Sequence, residues 1–332
     1  MYLLLLGAFT ISAVLCVFII KRQHALDVPN ERSSHTTPTP RSGGLAFIIA
    51  FYCGIFILYA ARLMPDNVFI ALVGAGGIVA VAGYLDDLNS LSPWLKAAAQ
   101  IAGLIWGVFW LGPVPSIELP GFVWQWGYFG AGATVIAGLW LINLYNFMDG
   151  IDGLAASQAI FIFISTAIFC VVEGSYAQAW ALGILAASVA GFLLFNWPPA
   201  KLFMGDSGSG FLGLMVVLMA IATTPPLNLW PWAILVTLFV ADATVTVVRR
   251  ILRGEKWYEG HRLHAYQRLQ QRWQSHKTAT TCYMAINIIF VFPLAIVAWI
   301  DPSLGLMVTV FAWGLAFPAA ILLGAGAKAY HR

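Results

Sequence analysis

The sequence predicts an all-α, polytopic integral membrane protein of about eleven transmembrane helices, from its low charge and from a series of long apolar stretches. The 332-residue chain is 61% hydrophobic and only 9% charged, with a mean hydropathy of +0.83. Soluble domains carry about a quarter charged residues, so this chain has too few polar side chains to coat a globule of its size. The lipid bilayer is therefore the expected solvent for most of the molecule.

The apolar stretches place the expected membrane spans along the whole chain. They lie at residues 2–20, 43–62, 68–85, 94–111, 130–145, 154–172, 177–195, 210–225, 229–248, 279–300 and 303–324. The first is expected to be a retained helix, because Lys21 and Arg22 follow it where a signal peptide would have a small-residue cleavage site. The span at 210–225 has the weakest pattern, since it is Gly-rich at its start and meets Pro225 and Pro226 at its end.

The distribution of basic residues predicts the orientation. With the N-terminus outside and the C-terminus cytoplasmic, sixteen of the 17 Lys and Arg residues fall in inner connections and only Arg62 falls outside. This matches the positive-inside rule and an odd number of spans. We therefore expect one transmembrane domain over residues 1–332, with cytoplasmic loops near 21–43, 85–94, 146–154, 196–209 and 249–278.

Nine of the 14 acidic residues and all six histidines fall on the predicted inner side. Ionisable groups at the edge of a membrane are costly, so their convergence on one face indicates a functional site. The first group is Asp86-Asp87, at the inner end of the third span. These carboxylates could cap the helix that begins near Pro93; the functional interpretation is a metal ligand or a general base beside a bound phosphate.

The second group lies in Asn143-Leu-Tyr-Asn146-Phe-Met-Asp149-Gly-Ile-Asp152-Gly153. Its Asn and Asp residues recur at every third position, so a helix would place them on one stripe, whereas the glycines favour a tight re-entrant turn. The third group is Met204-Gly-Asp206-Ser207-Gly208. Asp206 or Ser207 could cap the following helix, and the free N–H groups at such a helix start suit a phosphate.

A site this acidic would repel an anionic substrate unless a divalent cation bridged the two. Mg²⁺ suits carboxylate oxygens together with substrate phosphates, and Mn²⁺ is the alternative ion. Arg41, Lys201, Arg249, Arg250 and Arg262 could balance the remaining negative charge. The residues thus predict Mg²⁺-assisted phosphoryl chemistry at the cytoplasmic interface.

These motifs resemble those of the polyprenyl-phosphate N-acetylhexosamine-1-phosphate transferases, which include the MraY, WecA and WbpL enzymes. The resemblance also covers the segment from Asp27 to His35, the segment from Pro38 to Gly44 and a basic loop at 261–267, and so spans almost the whole chain in family order. It implies a bacterial inner-membrane enzyme that transfers a sugar 1-phosphate from a UDP-N-acetylhexosamine to undecaprenyl phosphate, with Mg²⁺, and releases UMP. No nucleic acid is expected among its partners, and a homodimer is left open.

Roles follow by matching this sequence to the family motifs. Asp86 and Asp87 match the catalytic pair, and Asp206 matches the metal-binding aspartate. The matches expected to bind substrate are Asn146, Asp149, Asp152, His264, Arg262, His35 and Arg41. One segment departs from the family pattern, namely His261-Arg-Leu-His264-Ala-Tyr266-Gln267. Tyr266 and Gln267 occupy positions where many relatives have histidines. This departure resembles the WbpL-like branch, which starts O-antigen synthesis.

Two other functions remain as alternatives. A CDP-alcohol phosphotransferase shares the start of its signature with Asp149-Gly-Ile-Asp152-Gly153, but Ser157 replaces the Arg that should follow. A transporter of lipid phosphates would place ionisable residues near the midplane between repeated halves, and no repeat is visible here. Asp242, seven residues before Arg249, is expected to be a structural partner for an arginine rather than a catalytic group. The sequence does not distinguish which UDP-sugar is used, or direct transfer from a covalent enzyme intermediate.

Overall fold

The computed structural model describes residues 1–22, 26–27, 38–119, 121–127, 129–256 and 261–328. Within them the regular structure is helical apart from two short hairpins, which confirms the predicted fold class. The helices, labelled α1 to α14 in chain order, are Tyr2–Arg22, Gly44–Ala60, Asp66–Leu88, Pro93–Leu111, Phe129–Met148, Leu154–Val172, Tyr176–Asn196, Gly205–Ala222, Trp230–Leu235, Thr237–Leu252, Ala265–Trp273, His276–Ile286, Phe292–Ile300 and Gly305–Leu322.

Nine segments of the described chain are long and apolar enough to cross a membrane. They are α1, α3 to α8, the continuous segment from α12 to α13, and α14 with the short 3₁₀ turn before it. The other two predicted spans are the 17-residue apolar helix α2 and the broken pair α9 and α10. Helices suit this solvent because they satisfy their backbone hydrogen bonds internally.

The prediction of one span at 229–248 is wrong in detail. The helix breaks at Val236, and α10 then continues to Leu252. The carbonyl of Leu235 at the break accepts a hydrogen bond from Gln158 Nε2 on α6 at 2.9 Å. A buried side chain from another helix therefore satisfies a backbone group that the break leaves free.

Two short antiparallel hairpins complete the described chain. Strand β1 (Leu26–Asp27) pairs with β2 (Thr39–Pro40), and β3 (Ile117–Leu119) pairs with β4 (Phe122–Trp124). The β1–β2 hairpin precedes α2 and lies at the same end of the bundle as the start of α8, because Phe203 N–H donates to Pro40 O at 2.8 Å. The β3–β4 hairpin connects α4 to α5 at the opposite end.

Helix α8 lies at the centre of the bundle, and almost all of its residues are buried. It packs against α2, α3, α4 and α5. Small residues allow the closest contacts: a Cβ on Gly83 of α3 would lie 2.5 Å from Ser207 Cα, and a Cβ on Gly44 of α2 would overlap Gly208. The span with the weakest sequence pattern is thus the core helix, and its glycines bring the ends of α2 and α3 onto its first turn.

Candidate active site

The first turn of α8 is capped by a carboxylate from another helix. Asp87, at the end of α3, accepts from Asp206 N–H at 2.8 Å, from Ser207 Oγ at 2.9 Å and from Ser207 N–H at 3.4 Å. The Asp87 side chain is buried. Gly205, which precedes Asp206, has a φ of +76°, and a Cβ at this position would collide with the Asp87 carboxylate. A negative charge at a helix N-terminus is stabilised by the free N–H groups and the helix dipole. Asp87 therefore fixes the position of the Asp206 backbone.

Asp86 points to a different place from its neighbour. Its Oδ1 accepts from Leu91 N–H at 2.6 Å, and its Oδ2 lies 3.1 Å from Lys96 Nζ on α4. The same Lys96 Nζ lies 3.1 Å from Asp206 Oδ2. The helix that begins at Pro93 is capped by Ser92 Oγ, so neither carboxylate serves as its N-cap. Asp86 and Asp206 thus converge on one cationic atom.

Asn146, on the last turn of α5, completes this group. Its Nδ2 donates to Asp206 Oδ1 at 3.0 Å and to Ser209 Oγ at 3.0 Å. Asn143, one turn earlier on α5, donates instead to Gln100 Oε1 at 3.0 Å. Of the four Asn and Asp residues predicted to form a stripe or a turn, Asn143 and Asn146 are on helix α5. Asp149 and Asp152 lie in the loop between α5 and α6.

Within that loop Asp149 and Asp152 have different surroundings. Burial raises the pKa of the Asp149 carboxyl well above its ordinary value, and the nearby carboxylates of Asp206, Asp87 and Asp152 raise it further. Asp152 lies 3.1 Å from His276 Nδ1 at the start of α12, and it accepts from Ala200 N–H at 3.0 Å. Asp152 therefore ties the loop to two neighbouring segments, whereas Asp149 is close enough to other carboxylates for their charges to raise its pKa.

The loop at 261–267 is organised around Asp242, a buried residue of α10. This carboxylate accepts from Ala265 N–H at 2.8 Å, Tyr266 N–H at 3.0 Å and Tyr283 Oη at 3.1 Å, and it lies 3.2 Å from His264 Nδ1. The prediction that Asp242 pairs with an arginine is wrong. Within the described residues, none of the hydrogen bonds or ion pairs of Asp242 is with an arginine. Asp242 instead caps α11 as Asp87 caps α8.

The residues that replace histidines in this loop are structural in the described chain. Tyr266 is buried, and its Oη donates to Phe147 O at 2.9 Å and fills the space beside Gly150. Gln267 Oε1 accepts from His264 N–H at 3.2 Å in a capping box. Both therefore connect α11 to itself or to the end of α5.

His264 itself is almost fully buried. Its ring lies 4.9 Å from the His261 ring and 6.3 Å from the Phe147 ring, and only 2% of the residue is exposed. Burial is the main reason that the pKa of His261 falls to about 3, with the charges of His264 and Arg250 as further causes. His261 is therefore neutral at physiological pH. Substrate contact by His264 or Arg262 stays a prediction.

Arg41 and His35 complete the predicted set. The Arg41 guanidinium donates through Nη2 to the backbone carbonyl of Asp87, where it also opposes the negative end of the α3 dipole. Gly43 and Gly44 next to it donate to Phe203 O and Met204 O at 2.9 and 2.8 Å. Arg41 thus lies beside the α3–α8 junction. His35 lies outside the described residues.

A cavity of about 460 Å³ opens beside this group. Its polar end is defined here by Lys96, Asn146 and Asp206, which line the cavity and contact one another through Asp206. The remainder is lined mainly by apolar side chains of α3, α4, α5 and α10. The cavity therefore combines a few charged or polar groups with mostly apolar walls, which suits a ligand with an anionic head and a hydrocarbon tail.

The donor set at the polar end fits Mg²⁺. Asp86 Oδ2 and Asp206 Oδ2 already meet at one cation, the Lys96 ammonium, and Mg²⁺ is commonly bound by one or two carboxylates plus waters and substrate phosphates. No cluster of three His, Cys, Asp or Glu side chains suited to a metal occurs within the described ranges. Asp86 and Asp206 are thus the residues that could hold the ion, and Mg²⁺ binding stays a prediction.

The sequence did not single out Lys96 or His276 as site residues. Lys96 is in the first turn of the helix that follows the Asp86-Asp87 pair, and this position is a signal that could have been used. His276 is on the predicted cytoplasmic side, but no local sequence feature links it to Asp152, which is 124 residues away. The fold brings together four of the predicted site residues, namely Asp86, Asp87, Asn146 and Asp206. Asp149 is close enough for the charges of Asp87 and Asp206 to raise its pKa.

The fold and this site define a multi-pass membrane protein with a carboxylate-rich centre at one end of its helical bundle. Residues 69–224 match the family model described as Glycosyl transferase family 4. The chain is 30% identical over 274 residues to a probable undecaprenyl-phosphate N-acetylglucosaminyl 1-phosphate transferase of Bacillus subtilis, covering 80% of this chain and 75% of the relative.

Two further relatives agree with this match. Over 310 residues the chain is 29% identical to a decaprenyl-phosphate N-acetylglucosaminephosphotransferase of Mycobacterium leprae, covering 82% of this chain and 76% of the relative. Over 246 residues it is 31% identical to a phospho-N-acetylmuramoyl-pentapeptide-transferase of Heliobacterium modesticaldum, covering 68% and 74%. The chain belongs to glycosyl transferase family 4, which confirms the family predicted from its motifs.

Proposed function

We propose that the protein transfers an N-acetylhexosamine-type sugar 1-phosphate from a UDP-sugar to undecaprenyl phosphate and releases UMP. The observation that carries the proposal is the convergence of Asp86 and Asp206 on one cationic point at the polar end of an apolar cavity. The names of the relatives support the same reaction class. Two describe a phosphotransferase or 1-phosphate transferase and name a polyprenyl phosphate, and the third describes a transferase of a phospho-N-acetylmuramoyl-pentapeptide.

The cavity supports a polyprenyl phosphate as the acceptor. A phosphate at its polar end would lie near the Lys96 ammonium, and the tail would follow the apolar walls formed by residues such as Ile136, Trp140 and Val247. Burial of apolar surface contributes about 25 cal/mol per Å², so even a few isoprene units would bind appreciably. A free sugar phosphate would gain nothing from these walls.

The transfer needs one new bond and one broken bond. An oxygen of the lipid phosphate bonds to the phosphorus that carries the sugar, and the bond from that phosphorus to the bridging oxygen of the diphosphate breaks, so that UMP leaves with this oxygen. Asp86 is positioned to take a proton from the acceptor phosphate, because its carboxylate faces the cation point. Asp87 is committed to the α8 cap and acts by holding Asp206.

Mg²⁺ would be held by Asp206 together with substrate oxygens, which leaves the Asp86 carboxylate free to accept the proton. Bound there, the ion would neutralise charge on the diphosphate and stabilise the leaving UMP. Lys96 would then contact substrate phosphate rather than both carboxylates, since its ammonium now lies where they converge.

The direct test is transfer of labelled sugar by purified protein. The protein in detergent or nanodiscs is mixed with undecaprenyl phosphate, Mg²⁺ and a panel of UDP-N-acetylhexosamines, and the lipid product and UMP are identified by mass spectrometry. We expect equal amounts of sugar-diphospholipid and UMP. If the best donor is a UDP-N-acetyl-aminosugar used in O-antigen synthesis, this result would support the WbpL-like branch. No lipid product with any donor would overturn the proposal.

Asp206→Asn tests the metal assignment. The variant should fold, because the α8 cap uses the backbone and not the side chain of Asp206, yet its rate should fall more than tenfold, about 1.4 kcal/mol of barrier. Part of the loss should return at higher Mg²⁺ or with Mn²⁺. A rate above about a tenth of wild type at ordinary Mg²⁺ would remove Asp206 from the metal site.

The same assays separate the alternatives. Membership in glycosyl transferase family 4 already favours the sugar-phosphate transferase over a CDP-alcohol phosphotransferase. A transporter would bind the lipid phosphate without forming UMP. The bacterial inner membrane, with the site facing the cytoplasm, is the location that such substrates imply, and a homodimer would be detected by the mass of the protein in nanodiscs.

A further inference from the structure

The residues that follow α14 are held by three arginines, one on α10, one directly after α10 and one on α11. Arg249 Nη1 on α10 donates to Ala325 O at 2.7 Å, Arg253 Nη1 donates to Gly326 O, and Arg268 Nη2 on α11 donates to Ala327 O. Arg249 is in the last turn of α10, and Arg253 is the residue directly after that helix. Three guanidinium groups therefore bind three consecutive carbonyls of a strap, defined here as residues 324–327.

The strap also contacts the loop at 261–267 directly. Gly326 N–H donates to Leu263 O at 2.7 Å, between Arg262 and His264. Ala325 is completely buried in a small apolar cluster with Ala241, Val245, Ala265 and Ala320. The strap thus packs against α10 and the start of α11 and supplies the backbone partner of the loop.

The charges explain why this contact holds. Three guanidinium groups that converge would repel one another, and burial together with the nearby Arg249 lowers the pKa of Arg268. Carbonyl groups at the C-terminal end of α14 carry partial negative charge and offset this repulsion. Glu255 adds a full negative charge, since it accepts from Arg253 Nε at 2.7 Å and from Arg250 Nε at 2.9 Å.

Backbone conformation makes the strap specific. Gly324 and Gly326 have φ of +87° and +68°, and a Cβ on Gly326 would lie 3.0 Å from Thr246 Cα and from Arg249 Cβ. A side chain there is both strained and too close to α10. The two glycines therefore allow the chain to turn against the arginines.

We propose that the strap is a positioning element of the active site, which holds the 261–267 loop in the conformation that binds the UDP-sugar. This inference rests on the proposed function. Asp86, Lys96 and Asp206 lie on α3, α4 and α8, which the strap does not contact through these bonds. Loss of the strap should therefore weaken binding of the UDP-sugar through Arg262 and His264 and leave the chemical step nearly intact.

Gly326→Ala is the variant that tests the strap, and Gly314→Ala is its matched control. Gly314 is in α14, and a Cβ there meets nothing within 4 Å. We expect Gly326→Ala to raise KM for the UDP-sugar at least tenfold with kcat within threefold of wild type. KM for undecaprenyl phosphate and both constants of Gly314→Ala should remain unchanged. A KM for the UDP-sugar within twofold of wild type in Gly326→Ala would overturn the inference.

Trypsin cleavage after Arg262 gives a readout that does not depend on activity. Fragments beginning at Leu263, measured by mass spectrometry on folded protein, should form at least tenfold faster in Gly326→Ala than in wild type or Gly314→Ala. If wild type lacks transferase activity but cleavage still responds in this way, the proposed function fails while the strap holds the loop. Unchanged cleavage together with active wild type defeats the strap alone.

A milder pair of variants covers the case in which Gly326→Ala does not fold. Arg249→Met removes the donor to Ala325 O, and Arg249→Lys keeps a positive donor at the same place. We expect faster cleavage and a higher KM for Arg249→Met, with at least partial recovery in Arg249→Lys. Equal values for the two variants, both close to wild type, would overturn the positioning role.

Discussion

Asp86 and Asp87 are adjacent in the sequence and serve different purposes in the fold. Asp87 is buried and receives three hydrogen bonds from the start of α8, whereas Asp86 shares the Lys96 ammonium with Asp206. The difference arises because neighbouring residues at the end of a helix point about 100° apart. One carboxylate therefore faces the interface with α8, and the other contacts Lys96 of α4, a residue that lines the cavity.

Substitution of the two residues should separate stability from catalysis. Asp87→Asn replaces a charged acceptor with an amide that can accept only on one side, so it should lower the free energy of unfolding by about 1–3 kcal/mol. Asp86→Asn should leave the melting temperature nearly unchanged and reduce kcat with little change in UDP-sugar affinity. Thermal melts and binding titrations on both variants measure this. Equal losses of stability would mean that both carboxylates are structural.

Asp149 should make stability depend on pH in a specific direction. Its folded pKa is raised, so its favourable neutral form is fully present below the ordinary carboxyl pKa and is lost as pH rises through the raised folded pKa. Asp149→Asn has no such loss. With EDTA present, the melting temperature of the variant should therefore gain on that of wild type as the pH rises above the ordinary carboxyl pKa. A difference that shrinks with rising pH would contradict this environment for Asp149.

At the scale of helices, α8 is held at its first turn by contacts that only glycine permits. The Gly83 contact with Ser207 brings the last turn of α3 close enough for Asp87 to reach the α8 amides. Asp242 uses the same arrangement, since it reaches the amides at the start of α11 from α10. The positions of Asp206 and of the 261–267 loop therefore each depend on a buried carboxylate from a neighbouring helix.

Gly83→Ala should damage the site from a distance. The added methyl would meet Ser207 Cα and N at 2.5 Å, and these backbone atoms cannot move aside cheaply. We expect a loss of about 1–3 kcal/mol of stability and a fall in kcat, because Asp206 shifts relative to Asp86. Gly77→Ala on the same helix is the control, since its Cβ would lie 4.0 Å from Tyr52 Oη. Matching melting temperatures for the two variants would rule out the close contact.

At the scale of the whole molecule, hydropathy predicted most of the spans because lipid imposes a simple requirement on every crossing helix. It missed the break at Val236 and the helix α11, since the former depends on Gln158 of α6 and the latter on Asp242 of α10. The motifs located Asp86, Asn146 and Asp206, which the fold brings together. The sequence does not identify Lys96 and His276 as site residues, because helix packing and not local sequence determines their partners.

The orientation of the whole bundle is the remaining prediction from charge. In the bundle, Lys96, Arg41 and the strap arginines all lie at the end that carries the site, whereas Arg62 follows α2 at the other end. By the positive-inside rule, the end of a membrane protein that is richer in Lys and Arg lies in the cytoplasm. We therefore expect the site, and the chain beyond α14, to face the cytoplasm.

Cysteine labelling in intact cells tests this orientation. Arg62→Cys and Lys277→Cys, both at exposed positions at opposite ends of the bundle, are made in a background in which Cys16, Cys53, Cys170 and Cys282 are replaced. A membrane-impermeant maleimide should label Arg62→Cys at once and Lys277→Cys only after the membrane is opened, because the inner end is shielded by the bilayer. The reverse pattern would place the site outside, where UDP-sugars made in the cytoplasm do not reach it, and would contradict the proposed donor.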